Sequence, residues 1–382
     1  MSPFRNSQVN LLIVHSTLHR LAWNGSGLFS GVFMLQRGVP APIVFLAFAG
    51  VLFLRYAFRP LVIAIVPRIG LKNALMLGTL FQAAQYPLLA AIDRVGLLLC
   101  LYVVAAALAG MIYYTCYHFA FAVAGDVSAR GRQVATRQVL VITAGIVGPA
   151  VGGLLLSVGG PWIAFATAMA IELAAIVPLV AVKIATPAWP SNLRPGLAMN
   201  TGVLLFATDG WINNGSGIAW NIVMFQALGS RFDAFGLTTA AAALAGAVGG
   251  MIQGHVIDLG HGWRAARLSA VMLVGILLVK AFCGDDAYVV TTVAIGSYVL
   301  GGLYTPSLMT AFYNEAKRSL DPLRFQIAAE GGWDLGAGVV NLIAAALCAL
   351  GASFHALILL ALPAVLLQTW VLERSYAASR PT

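Results

Sequence analysis

From Val95 to Ala124 the chain carries no Asp, Glu, Lys or Arg, and from Val139 to Val182 it carries only Glu172. Such stretches are too long for buried core helices and suit a bilayer whose hydrocarbon core is about 30 Å thick. Composition points the same way. Hydrophobic residues make up 60% and charged residues 9%, against roughly 25% charged in a soluble domain. The expectation is an all-α, polytopic integral membrane protein whose first partner is the lipid bilayer. The net charge of +9 need not signal nucleic acid, because Lys and Arg beside membrane spans set topology; no nucleic-acid partner is expected. Cys100, Cys116, Cys283 and Cys348 lie in apolar segments without paired spacing, so they read as small hydrophobes, with neither a metal site nor a disulfide implied.

The first apolar stretch begins near Val9 and continues past Gln36 without a small-residue cleavage site, so it reads as a retained span. Cutting at charge and Pro/Gly clusters gives twelve helical segments: 9–36, 41–66, 73–92, 95–124, 134–158, 161–183, 199–228, 233–257, 264–283, 286–313, 323–350 and 353–372. Three prolines punctuate residues 183–197; proline lacks the amide hydrogen a helix needs, which marks a linker. The expected organisation is an N-terminal six-helix bundle (1–183), a cytoplasmic linker (184–198) and a C-terminal six-helix bundle with a short cytoplasmic tail (199–382). With the N-terminus in the cytoplasm, fifteen Lys and Arg residues fall in cytoplasmic segments and four in outer loops. That asymmetry predicts both termini inside, in what is expected to be a bacterial inner (plasma) membrane.

The sequence also repeats itself. Asn24-Gly-Ser-Gly27 returns as Asn214-Gly-Ser-Gly217, 190 residues on. Gly145 pairs with Gly338, Gln133 with Gln326 and Arg137 with Glu330, each at an offset of 193. An even number of spans separates the two copies, so both cross in the same direction. Two bundles related by a pseudo-two-fold axis along the membrane normal would result, a geometry that can serve alternating access. The small residues of the cluster can equally be close-packing positions; lining a path and packing closely are compatible.

Twelve spans in two six-helix halves resemble the major facilitator superfamily, and local motifs strengthen the resemblance. The family's loop between spans two and three has the form G-x-x-x-D-R-x-G-R-[RK]. Residues 63–73 match it at Arg68, Gly70 and Lys72, with Pro67 in the acidic position and Ile63 in the first glycine position. The second half supplies Gly254, Asp258 and Arg264, which the resemblance assigns to a cytoplasmic conformational latch. On the fifth span, residues 144–153 are similar to the G-x-x-x-G-P-x-x-G-G motif of proton-coupled exporters. Gly148, Pro149, Gly152 and Gly153 are present, and Ala144 stands at the first glycine. Glycines four apart let helices approach closely, and proline bends the axis. The resemblance covers the whole chain and implies a transporter that works as a monomer.

Charges inside the bilayer call for an account, since each costs about 2.5–3.5 kcal/mol at mid-membrane on insertion scales. The first span holds His15, His19 and Arg20 ahead of Asn24, and the second adds Arg55 and Arg59. The seventh holds Asp209 in the place equivalent to His19. The eleventh holds Glu330, Trp333 and Asp334, with its two acids on one helix face. Arginines in one half and acids in the other could attract, with protonation of an acid weakening the attraction; static ion pairing for stability is the alternative. Glu172, midway along the sixth span, reads as a polar packing contact. The fourth span places Tyr113, Tyr114, Tyr117 and His118 on one broad face, and the tenth offers Tyr304, Met309 and Tyr313. The resemblance implies that spans one, four, seven and ten line a central cavity, where aromatic rings with polar tips suit an amphipathic solute. His19, Arg20, Asn24, Arg55, Tyr114, Tyr117, Asn213, Asn214, Tyr304 and Trp333 are the cavity candidates. Asp209 and Asp334, then Glu330 and His118, are the proton-carrying candidates; His118 can also be a hydrogen-bonded structural group.

Signatures of catalysis are absent from the sequence: there is no Gly-rich phosphate loop with G-K-[ST], no H-E-x-x-H and no G-x-S-x-G. No cofactor, no metal and no catalytic residue is expected. The expected function is secondary active transport of a small organic molecule, with proton-coupled efflux as the leading form. Uptake of an organic anion is the alternative suited to the arginine-rich first half, and a non-transporting membrane scaffold is a third.

Overall fold

The computed structural model describes residues 6–125, 130–184, 197–256, 262–319 and 321–378. Among the described residues the secondary structure is helical throughout, with no strand. In chain order the helices are α1 (Ser7–Ser26), α2 (Ser30–Gln36), α3 (Ala41–Ile69), α4 (Leu71–Ala90), α5 (Leu97–Ala124), α6 (Arg130–Val158), α7 (Gly160–Ala174) and α8 (Ile176–Ala181). They continue as α9 (Leu197–Ala227), α10 (Phe232–Val256), α11 (Gly262–Phe282), α12 (Ala287–Arg318), α13 (Pro322–Ala349), α14 (Phe354–Ile358) and α15 (Leu362–Ala378). Each segment cut from the sequence coincides with one of these helices or with a helix interrupted by a single turn. Among the described residues eight helices are long and apolar enough to cross a membrane.

Helix ends follow local chemistry. Asn6 opens α1, its Oδ1 accepting from the Gln8 and Val9 amides at 3.1 and 3.2 Å. Asp286 does the same for α12, accepting from Tyr288 and Val289 at 3.0 Å. These oxygens satisfy amides that have no partner within the helix. Gly70 turns α3 into α4 at φ +83°, a left-handed conformation open to glycine.

Three spans break part-way: the twelfth at a 3₁₀ turn, Leu359–Ala361, and the first and sixth at breaks with a local cause. After Ser26 (φ −144°) the first span tightens into a 3₁₀ turn, Gly27–Phe29, before α2 resumes. Gly27 lies against the Trp23 ring, where a Cβ would fall 2.6 Å from it. The sixth span breaks between α7 and α8 at Ala175. Pro178 has no amide to offer the carbonyl four residues earlier, so the helix cannot run through unchanged.

Polarity is inverted relative to a protein in water. Val158 and Leu350 are 81% and 84% exposed, whereas Glu172, Asp334 and Gln368 are fully buried. Hydrocarbon tolerates the outward valines and leucines but cannot satisfy a polar side chain, so polar groups turn inward. The chain is an integral membrane protein.

The helices gather into two compact units. The first comprises Met1–Val39, Leu54–Trp189 and Phe232–Ala240; the second comprises Pro40–Phe53, Pro190–Arg231 and Ala241–Thr382. Within the first unit, glycines bring α1 and α6 into backbone contact: a Cβ on Gly148 would lie 2.7 Å from the Asn24 Cβ, and one on Gly152 would run into the Gly25 carbonyl. Within the second, α9 and α13 are joined the same way. A Cβ on Gly210 would meet the Trp333 carbonyl, and one on Gly336 the Ala207 carbonyl.

Candidate functional site

The first unit holds a polar cluster built from α1, α3, α4, α5 and α7. His19 and Glu172 are buried, and His19 Nδ1 lies 2.9 Å from Glu172 Oε1. One helical turn earlier, His15 Nδ1 lies 2.7 Å from the Ala175 carbonyl at the α7–α8 break. The sequence forms this cluster because His15 and His19 are four residues apart and share a helix face. Tyr113 covers the pair, its ring centroid 3.8 Å from that of His19. Glu172 Oε2, His19 Nε2, Tyr86 OH and Tyr113 OH are buried and have no hydrogen-bond partner among the described residues.

Half-buried Tyr114 lies on the edge of this cluster, its ring centroid 6.0 Å from that of His19. It meets two guanidinium groups: Arg20 Cζ and Arg55 Cζ each lie 5.7 Å from the ring centroid. Cation–π contacts at this distance are attractive. No carboxylate pairs with Arg20 among the described residues. Tyr117 is buried, accepts from Arg137 Nε at 2.9 Å and stacks parallel to Tyr113. His118 is half-buried, edge-on to Tyr117. Asn24 packs against Gly148. The structure thus brings His19, Arg20, Arg55, Tyr114 and Tyr117 together in one unit, with His19 turned to Glu172.

The second unit holds a different cluster, built from α9, α12, α13 and α15. Asp209 Oδ2 accepts from Trp333 Nε1 at 3.1 Å, and Asp209 Oδ1 accepts from Asn213 Nδ2 at 3.0 Å. Asn214 Oδ1 accepts from Asn341 Nδ2 at 3.1 Å. Glu330 accepts from Gln326 Nε2 at 3.2 Å, and Asp334 is fully buried. Tyr304 is buried and donates to Gln368, whose Nε2 donates to the Leu205 carbonyl at 2.9 Å. The structure therefore brings Asp209, Asn213 and Trp333 together, and sets Tyr304 with Gln368.

The motif residues have distinct surroundings. Arg68 is exposed at the end of α3, Gly70 makes the turn, and Lys72 Nζ donates to the Val180 carbonyl at 3.4 Å. A backbone oxygen at the end of α8 here meets the lysine of the loop. In the second half Asp258 lies outside the described residues, and of Gly254 and Arg264 only the helical backbone is described. On α6, Gly148 and Gly152 touch α1, whereas Gly153 and the Pro149 carbonyl face Gly236 of α10, within the first unit. Among the described residues no group of three or more His, Cys, Asp or Glu is placed to hold a metal ion.

Several solved transporters share this arrangement of helices. At 11% identity the chain is similar to the POT family transporter PepTSo, with a TM-score of 0.69 over 98% of this chain and 99% of that one. At 14% identity it is similar to the human organic anion transporter MFSD10 (TETRAN), with a TM-score of 0.65 over 97% and 100%. At 15% identity it is similar to a bacterial homologue of the iron transporter ferroportin in an inward-facing state, with a TM-score of 0.64 over the full length of both. The chain shares the fold of these transporters. No family model matches the sequence, and no curated protein matches it. At these identities the likeness is one of fold alone.

Several residues of the two clusters carry no motif. Glu172 stands out in sequence as a charge in an apolar span, but its partner lies 153 residues away on another helix. Asn341 and Gln368 are uncharged and give no signal by cost. For Asn341 the repeat holds a clue: Asn24 and Gly148, in contact in the first unit, map onto Asn214 and Asn341 at offsets of 190 and 193.

Proposed function

We propose that the chain is a proton-coupled secondary transporter of a small organic anion, working by alternating access. The observation that carries this reading is the pair Arg20 and Arg55, both set against Tyr114, in a major facilitator fold. An arginine inside a membrane protein is costly unless it serves a substrate path or a fixed partner, and Arg20 faces an aromatic ring instead of an acid. A carboxylate or sulfonate attached to an apolar body would meet both guanidinium groups through charge-assisted hydrogen bonds and the ring through stacking. The similarity to a human organic anion transporter supports the same class. In this reading the two six-helix halves, 1–183 and 199–382, are the moving parts and the chain acts as a monomer in a bacterial plasma membrane. The excess of Lys and Arg on one side supports cytoplasmic termini.

Export is the second reading, favoured by the glycine–proline motif. Gly148, Gly152 and Gly153 are all used for close backbone approach, as the proton-coupled exporter motif implies. In that form Asp209, Asp334, Glu330 or His118 would exchange protons against substrate.

One assay separates the two. Proteoliposomes are given an outside-acid pH gradient with a panel of labelled aromatic carboxylates, sulfonates and amines. The anion reading expects gradient-driven accumulation of anions, abolished in Arg20→Gln; the export reading expects gradient-driven loss of preloaded compound. Gradient-independent behaviour for every compound would sink both.

A further inference from the structure

We propose that Glu172 and His19 are the proton-holding site of this transporter, with one exchangeable proton resident on Glu172, and that losing it transfers Arg20 from the substrate anion to the pair. This deepens the proton-coupled anion reading and rests on it. The pair is sealed: His19 and Glu172 are 1% and 0% exposed. In so dry a place a net charge is expensive, and two neutral or oppositely charged forms are available. Either form leaves Nε2 and Oε2 without partners, so the cost of burying charge chooses between them. The form with a neutral imidazole and a protonated carboxyl keeps charge out of the core altogether.

The balance is simple. Loaded, the pair is neutral. Unloading releases one proton, changes no other bond and leaves one negative charge on Glu172. Charged and titratable groups surround the pair. On α1 they are His15, already bound to the Ala175 carbonyl, and Arg20, next to His19 in the chain and over the Tyr114 ring. On α3 there is Arg55, on α4 Tyr86, and on α5 Tyr113, Tyr114 and Tyr117; Arg137 of α6 is bound to Tyr117. Arg20 is next in the chain to His19 and has no carboxylate partner of its own among the described residues. It is therefore the counter-charge that the unloaded pair draws in. Proton and anion then bind together and leave together, which is the logic of symport: an anion on Arg20 is stable only while Glu172 keeps its proton.

The test needs no knowledge of the substrate. Full-length protein in lipid nanodiscs, labelled with ¹³C-glutamate, is examined by infrared difference spectroscopy across a pH titration. A protonated-carboxyl band that disappears as pH rises is expected, and it is expected to be missing in Glu172→Gln. If that variant fails to fold, Glu172→Asp with ¹³C-aspartate carries the assignment, because the band should move to the aspartate label. Arg20→Gln should raise the titration midpoint by about one pH unit or more, since the nearby positive charge that favours the carboxylate is gone; Arg20→Lys should restore most of the shift. A spectrum without a glutamate carboxyl band, or with one untouched at Glu172, overturns the proton site. A midpoint indifferent to Arg20→Gln overturns the hand-over. Either failure leaves transport of anions in proteoliposomes standing, whereas loss of anion transport with the band intact faults only the functional reading.

Discussion

The two units use the same backbone positions for opposite chemistry. At equivalent places on the first and seventh spans stand His15 and Leu205, then His19 and Asp209, each pair 190 residues apart. Ala175 and Gln368 are likewise equivalent, 193 residues apart on the sixth and twelfth spans. In the first unit the side chain of His15 reaches the backbone carbonyl of Ala175; in the second the side chain of Gln368 reaches the backbone carbonyl of Leu205. The contact survives with its donor moved to the other helix. One step along, His19 turns to Glu172 on the sixth span, whereas Asp209 turns to Trp333 on the eleventh. Glu172 is sealed in the core of the first unit, whereas Asp209 is half-buried and bonded to exposed Asn213. Duplicated halves thus preserve where helices touch and diverge in which helix supplies the polar group.

The strongest way to break the comparison is to attack what the halves share, the glycine contacts. Gly152→Ala would press a methyl group on the Gly25 carbonyl, and Gly336→Ala would do so on Ala207. Both atoms struck are backbone, so relief requires moving a helix, and about 3 kcal/mol is expected at each site. Gly217→Ala meets nothing within 4 Å and should be neutral. Equilibrium unfolding in mixed micelles measures all three; equal stability of the Gly152 and Gly217 variants would deny that α1 and α6 are locked.

Next come the two acids. Glu172→Leu leaves His19 Nδ1 buried without its partner, at an expected cost of about 2–3 kcal/mol, and His19→Leu behaves alike. The double variant should be less damaging than the sum of the singles, because the two polar groups leave together. Asp209→Leu should lose about half as much, since Asn213 can turn to solvent or lipid headgroups and only the Trp333 donor is orphaned. Costs in the reverse order would show that Asp209, not Glu172, is the more tightly held acid. The reversed carbonyl contacts give a smaller effect. His15→Leu and Gln368→Leu each free one backbone carbonyl, and each should cost about 1 kcal/mol, by the same measurement.

How far sequence alone reaches follows the same division. The spans were legible because charge is excluded from hydrocarbon over twenty residues at a time, and the linker because three prolines interrupt it. The breaks at Ser26 and Ala175 were not, because a helix can absorb a glycine or a proline in several ways and packing selects one. Asp209 and Trp333 were legible as intramembrane polar residues, though not as partners 124 residues apart. Glu172 was legible only as a costly charge. Nothing in the chain order says that it meets His19, for the pairing is decided by the angle at which α7 lies on α1.

The finest difference lies at the asparagine of the repeated cluster. Asn24 and Asn214 are equivalent, but the first packs on Gly148 and the second accepts from Asn341, the residue equivalent to that glycine. Where one half allows backbones to touch, the other fills the position with an amide and gains a hydrogen bond. The helix of the first copy breaks two residues later, whereas α9 runs through its copy unbroken. The amide pair thus serves as the support the second copy has and the first lacks. Interhelical hydrogen bonds in membranes average about 0.6 kcal/mol in double-mutant cycles. Asn214→Leu combined with Asn341→Leu should return a coupling of that size. The same cycle on Asn24 should return none when Gly148 is changed to Ala, beyond the steric cost of the methyl group. A coupling near zero for Asn214 and Asn341 would mean that the unbroken course of α9 is set by its backbone contact with α13 at Gly210 and Gly336, and that the amides only fill space.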